Sequence, residues 1–388
     1  MQKLSVQTDK FEIPADVHYL NGAYMSPQLK STTEIGLRSV QQKALPYRTT
    51  VDDFFSDSEK IREEYSKLIN NNRRSRIALI PSVSYGMANI TQNINLASKE
   101  VVIASEQFPS NVYPWMTATR EQGGKLITVA PPSNTEDRGE KWNERILEAI
   151  NNNTALVAIS QAHWADGTRF DLLAIRQRTL DVGALLIIDG TQTVGALPFD
   201  VEEIKPDALI CAGYKWLLGP YGMGVAYYGE YFDNAKPIEE SWINRRDSED
   251  FAGLVEYQDA YQPGAIRFEV GEHSNFILLP MFLDALKQLN TWQPAEIQNY
   301  CKSIVEAPLR LLKEAGYWLE DEKWRTNHLF GIRHQSMPID KIKSALAERN
   351  VYVSYRGDAI RVAPYIHNTA NDLNIFTNVL LESIGQYA

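Results

Sequence analysis

The sequence predicts an α/β protein: a mostly parallel central sheet with helices on both faces, followed by a smaller α+β unit toward the C-terminal end. Three observations carry this. Seven short apolar runs recur between Ile77 and Tyr228 with helix-like segments between them, the alternation expected of βαβ units. The chain has 388 residues, enough for a large core and more than one compact unit. Beyond about residue 270 the rhythm changes to longer helices and scattered short strands.

Taken in order, the first clear helix is 56–70, where Ile61, Tyr65, Leu68 and Ile69 fall at helical spacing. The strands are IALI (77–80), VVIA (101–104), KLITVA (125–130), ALVAIS (155–160), LLII (185–188), ALIC (208–211) and GVAYY (224–228). A helix opens near Tyr85, and NERILEAIN (143–151) and DLLAIRQRTLDVG (171–183) read as helices between strands. Residues 230–266 are long, polar and irregular, as functional or disordered loops are. Helices near 278–289 and 294–315, short strands and a helix over 339–349 make up the smaller unit. The expected division is an N-terminal segment 1–20 packing with the small domain, a large domain 21–270 and a small domain 271–388.

Composition narrows the function class. No apolar run approaches the roughly 20 residues needed to span a bilayer, and the first twenty residues lack the apolar stretch of a signal peptide. The expectation is a soluble cytoplasmic protein with no membrane partner. Net charge is −10, and the basic residues form no long stripe, which argues against nucleic acid. Two cysteines, Cys211 and Cys301, are too few for a disulfide framework or a cysteine-based zinc site.

The chemistry concentrates where Lys215 follows the apolar run ALIC and precedes a loop with three glycines. Upstream, LLII ends in Asp189, with Gln192 three positions on. In a parallel sheet, ligands sit beyond the carboxyl ends of the strands, and both residues lie there. A strand-end aspartate and a strand-end lysine are what a pyridoxal 5'-phosphate (PLP) site requires. The amine forms a Schiff base with the cofactor aldehyde, and the aspartate pairs with the pyridinium nitrogen.

Other candidates group around this pair. The turn into the helix after IALI offers backbone amides for a phosphate at Val83 and Ser84, with the Ser84 hydroxyl as a further donor; a simple N-cap is the alternative. Tyr214 has a hydroxyl suited to the same phosphate, or is a core aromatic. Phe108 follows VVIA and is placed to stack on a pyridine ring, or packs in the core. His163, just past ALVAIS, is a candidate for touching the cofactor, structural packing being its alternative. An amino-acid substrate carries a carboxylate, which arginine binds through paired hydrogen bonds. Arg361, on a short apolar strand, is the candidate clamp, with Arg356 on the same hairpin as its rival. The run from Gly271 to Asn275 includes Ser274, a candidate contact to a neighbouring subunit's phosphate or an ordinary helix cap.

With these residues assembled, the chain resembles the class V aminotransferase family of fold-type I PLP enzymes, which contains cysteine desulfurases, selenocysteine lyases, kynureninases and isopenicillin N epimerases. The likeness runs from YLNGAYMSPQ near the start to RVAPYIHNT near the end, and is most specific at DGTQ and GYKW. It implies the PLP-dependent transferase fold and a homodimer with active sites at the interface. It also implies that Asp189 meets the pyridine nitrogen, Gln192 the ring hydroxyl and Phe108 the ring face, with Val83, Ser84 and Tyr214 on phosphate. Arg361 matches the family's carboxylate-binding arginine.

The sequence departs from the family at two places. Desulfurases carry a nucleophilic cysteine shortly before that arginine, where this chain has Arg356-Gly357-Asp358-Ala359-Ile360. At the small-domain opening, Glu272, His273 and Ser274 follow Gly271 instead of the family's Gly-Thr pair. Trp242 and Asn244 lie where kynureninases have a tryptophan-containing substrate segment. The expected function is PLP-dependent transformation of an amino acid, by aminotransferase or carbon–sulfur lyase chemistry without a cysteine nucleophile. An epimerase and a kynureninase-like hydrolase are the alternatives, and a non-catalytic PLP-binding regulator stands outside the enzyme class. A nucleotide-binding protein would want a glycine-rich first turn, and IPSVSYG is a poor match to it.

Overall fold

The computed structural model describes residues 4–133, 137–334 and 339–385; residues 1–3 and 386–388, at the ends of the predicted terminal segments, lie outside them. Its centre is a seven-stranded sheet of β1 (Ile77–Ile80), β2 (Glu100–Ala104), β3 (Lys125–Val129), β4 (Thr154–Ser160), β5 (Leu185–Asp189), β6 (Ala208–Ala212) and β7 (Gly224–Tyr228). The spatial order is β1-β7-β6-β5-β4-β2-β3. Every neighbouring pair is parallel except the two made by β7, which runs opposite to β1 and β6. All residues of β1, β6 and β7 are buried, which is why these strands read as unbroken apolar runs rather than alternating ones.

The sheet separates two hydrophobic layers. Met87, Ile90, Trp115, Ile187 and Ile210 pack on one face, and Trp142, Ile175, Ile188, Leu209 and Phe282 on the other. The helices end where local chemistry tells them to. Asp171 caps Leu172–Val182 by accepting from the Ala174 amide, and Gly183 closes it in the left-handed conformation.

A second sheet is antiparallel, with strands β8 (Trp318–Leu319), β9 (Phe330–Arg333), β10 (Ser354–Arg356) and β11 (Ala359–Val362) in the order β10-β11-β9-β8. His18–Tyr19 pairs with Val351–Tyr352 beside it. The helix Leu278–Trp292 packs chiefly on helices Lys30–Lys43 and Ser56–Leu68, which precede the central sheet. Residues 230–266 hold short 3-10 turns and one isolated antiparallel bridge, Arg245 with Tyr261.

One glycine is fixed by close approach. Gly167 has φ +72°, and a Cβ there would sit 2.0 Å from the Leu329 carbonyl oxygen. Gly167→Ala is therefore expected to destabilise the protein by more than about 2 kcal/mol, read as a fall in Tm. An unchanged Tm would mean that the 163–168 loop is not held against the second sheet.

Candidate active site

The carboxyl ends of β1, β4, β5 and β6 open onto one cavity of about 240 Å³. Lys215 follows β6 through a turn in which the Gly213 amide donates to the Met223 carbonyl and the Gly219 amide to the Gly213 carbonyl, both at 2.8 Å. A side chain at Gly213 would meet the Met223 oxygen at 2.7 Å, so the turn needs glycine. The Lys215 side chain is buried, with Nζ 5.1 Å from the Phe108 ring centre and 5.6 Å from that of Tyr214. Burial pulls its pKa down to about 8, against the pull of Asp189 and with help from the charges of Arg361 and Arg356. A neutral amine is thus available near physiological pH, as a nucleophile or general base requires.

Asp189 ends β5 and is buried. Its Oδ1 accepts from the Thr191 amide at 3.0 Å, and the Thr191 hydroxyl oxygen accepts from the Ala212 amide at 3.1 Å, tying β5 to β6. Burial raises the Asp189 pKa, while Thr191 and the charge of Lys215 oppose the rise. A buried carboxylate in that condition gains from a cationic partner.

The helix Val83–Thr91 begins at the same cavity. Its N-cap is Ser82, whose hydroxyl accepts from the Tyr85 amide, so the helix starts two residues before the position expected from sequence. The capping role falls to Ser82, leaving the first-turn amides at Val83 and Ser84 without intrahelical partners. The Ser84 hydroxyl donates to Ser110 Oγ at 3.1 Å.

Seven predicted residues therefore converge on the cavity: Val83, Ser84, Phe108, Asp189, Gln192, Tyr214 and Lys215. The Gln192 amide donates to the Ala23 carbonyl and accepts from Trp216 Nε1, each at 3.1 Å. Five others lie outside its lining. His163 is buried behind it, Nε2 donating to the Ser105 and Glu106 carbonyls at 3.1 Å and Nδ1 facing the Asp166 carboxylate at 3.4 Å. It pins the turn that carries Phe108. The Ser274 hydroxyl donates to the Phe54 carbonyl. Trp242 stands in an aromatic cluster with Phe54 and Phe251. Arg361 and Arg356 approach the cavity through Trp164, which lines it: their guanidinium carbons lie 5.7 and 5.2 Å from its ring centre.

Sequence reasoning missed Thr191, Gln107 and Tyr221. Thr191 had a signal, since an amide two residues past a strand-end aspartate is within reach of its carboxylate. Gln107 lines the cavity while its Nε2 donates to the Ala158 carbonyl at 2.9 Å. Tyr221 packs on Tyr214 with ring centres 4.6 Å apart; neither has a local sequence signal.

The donor set fits PLP: a buried aspartate for a ring nitrogen, a buried lysine for the aldehyde, an aromatic for the ring face and a helix N-terminus for the phosphate. The class defined by this sheet and site is a PLP-dependent enzyme of fold type I. The chain belongs to the class-V aminotransferase family, whose model, Aminotransferase class-V, matches residues 46–376. It is 25% identical over 364 residues to the uncharacterized aminotransferase YcbU of Bacillus subtilis, covering 89% of this chain and 93% of that one. A cysteine desulfurase of Synechococcus elongatus is 28% identical over 192 residues, 47% of this chain and 29% of its own length. Among solved structures, a variant of C-DES with glycine covalently linked to its PLP cofactor superposes with a TM-score of 0.86 at 17% identity, over 97% and 99% of the two chains. The cysteine desulfurase CsdA of Escherichia coli gives 0.79 at 15% identity, over 98% of each. At those identities the likeness to the solved structures speaks for the fold alone. Among the described residues no helix is long and apolar enough to cross a membrane.

Proposed function

We propose that this chain is an aminotransferase or carbon–sulfur lyase acting on a small amino acid without a cysteine nucleophile. The supporting observation is the turn between β10 and β11. Arg356 pairs directly with Ala359, so only Gly357 and Asp358 connect the strands, with Gly357 at φ +55°. A two-residue hairpin turn leaves no loop to carry a thiol toward substrate. Cys211 and Cys301 are both buried, and burial raises their pKa values, which suits structural thiols rather than nucleophiles.

When bound, PLP supplies an electron-withdrawing ring that makes the substrate α-proton acidic. Asp189 holds the ring nitrogen protonated, Lys215 takes the α-proton, and Arg361 orients the substrate through its carboxylate. Phe108 and Trp164 pack edge to face at the mouth of the cavity, with ring centres 5.5 Å apart. As a proposal the protein works as a homodimer, and the 230–266 segment, where Val255 and Tyr257 are exposed, is the surface a second copy would cover. The cytoplasm is the proposed location, and the division at about residue 270 is proposed likewise.

The test is to incubate the holoenzyme with single amino acids and assay products. Formation of pyridoxamine phosphate and a keto acid marks transamination; a keto acid with free ammonia and released thiol or sulfide marks the lyase. Persulfide on a cysteine of the protein would overturn the proposal. Arg361→Ala is expected to raise KM for carboxylate substrates by roughly 10- to 100-fold, with a smaller change in kcat. An unchanged KM would move the clamp to Arg356.

A further inference from the structure

Arg356 and Arg361 form an arrangement that one substrate carboxylate does not account for. The register of β10 and β11 sets Ser354 opposite Arg361 and Arg356 opposite Ala359. Directly facing residues share a side of the hairpin, and every second residue returns to it. Both arginines therefore project from one face as diagonal neighbours, roughly 7–8 Å apart. That face lies against Trp164, at the edge of the cavity.

Neither guanidinium has a carboxylate partner among the described residues. Arg356 donates only to the Tyr355 carbonyl, at 2.7 Å, and Arg361 to the Trp164 carbonyl at 3.0 Å and the Ser354 hydroxyl at 3.3 Å. The Nε of each is buried and unpartnered. Ser354 is fixed in turn by donating to Asn21 Oδ1 at 2.7 Å, so Arg361 is held in place by neutral groups alone. Arginines nearby on the same seam are paired: Arg138 with Asp166 and Glu320, Arg333 with Asp166 and Asp358. In a chain with 49 acidic residues against 39 Lys and Arg, carboxylates are plentiful, yet these two cations stand diagonally beside each other without one among the described residues. Like charges so placed are destabilising. Burial and then the Arg356 charge lower the Arg361 pKa to about 9.

We propose that the substrate is an amino acid bearing a second anionic group on its side chain, with Arg361 taking the α-carboxylate and Arg356 the side-chain anion. The inference rests on the amino-acid reading above and specifies its substrate class. The diagonal spacing suits a short diacid, whose two anions would each neutralise one guanidinium. The recognised chemistry is an oxyanion, carboxylate or sulfur oxyacid.

The experiment measures kcat/KM of the holoenzyme for matched pairs, aspartate against asparagine and glutamate against glutamine, with cysteine sulfinate as the sulfur oxyacid. Acids are expected to exceed their amides by on the order of 100-fold. Arg356→Gln is expected to reduce that preference to within several-fold, and Arg356→Lys, which keeps charge but loses the fork, to leave it intermediate. Turnover of amides or other neutral amino acids without preference for acids overturns the inference and leaves the amino-acid reading standing. An equal loss on acid and amide in Arg356→Gln also overturns it, because both arginines would then serve the α-carboxylate. If no amino acid is converted or shifts the visible spectrum, both readings fall.

Discussion

Lys215→Ala is expected to abolish turnover and remove the visible absorbance that a PLP–lysine adduct gives. The loss should reach at least about 10²–10⁴-fold, the contribution of a positioned general base alone, before the lost covalent link to the cofactor is counted. The reason is local. Lys215 is buried, and its amine is brought to about 8 by that burial, so no solvent-exposed lysine can replace it. The same shift predicts a pH dependence. The neutral amine captures the aldehyde, so the rate at which apoprotein takes up PLP should rise as pH passes through about 8 rather than near the usual lysine value. Retention of both spectrum and activity in the alanine variant would remove Lys215 from the site.

Asp189→Asn keeps the shape and deletes the charge. A fall in kcat on the order of 10²–10³-fold is expected, comparable to removing a preorganised electrostatic contact in other active sites, because the ring nitrogen would lose its counter-charge. A second readout separates this from simple misfolding. The carboxylate now raises the Lys215 pKa; without it that pKa should fall further, moving the uptake profile to lower pH. A profile that stays in place would mean that the two groups do not sense each other.

The central sheet was legible because most of its strands are buried on both faces, the edge strand Lys125–Val129 being the exception. A run such as Ala208–Ala212 has no polar side chain to blur it, and all seven predicted strands lie within one residue of the observed boundaries. The helix Lys30–Lys43 was not legible: its sequence is polar, and Thr32, Gly36 and Ser39 supply its buried positions, so the apolar spacing that marks a helix is missing. At the site, Asp189 and Lys215 could be read from strand-end chemistry, and Val83 and Ser84 from a strand–turn–helix junction. Contacts across the chain could not. His163 and Trp164 are adjacent in sequence, yet one pins a backbone turn while the other lines the cavity and meets two arginines nearly 200 residues away. No local pattern distinguishes those fates. The same holds for Ser274 and Phe54, whose hydrogen bond joins distant segments.

The reversed strand β7 sets a timetable for the newborn chain. It lies between β1 and β6, pairing Ile77 with Tyr227 across about 150 residues of sequence. During synthesis β1 must therefore wait, unpaired in this sheet, until the segment through Tyr228 has left the ribosome. The helix N-terminus that follows β1 and the lysine that follows β6 are separate pieces until then. Cofactor capture is consequently a late event, and an aldehyde bound at Lys215 would report that β1 has been sewn into the sheet.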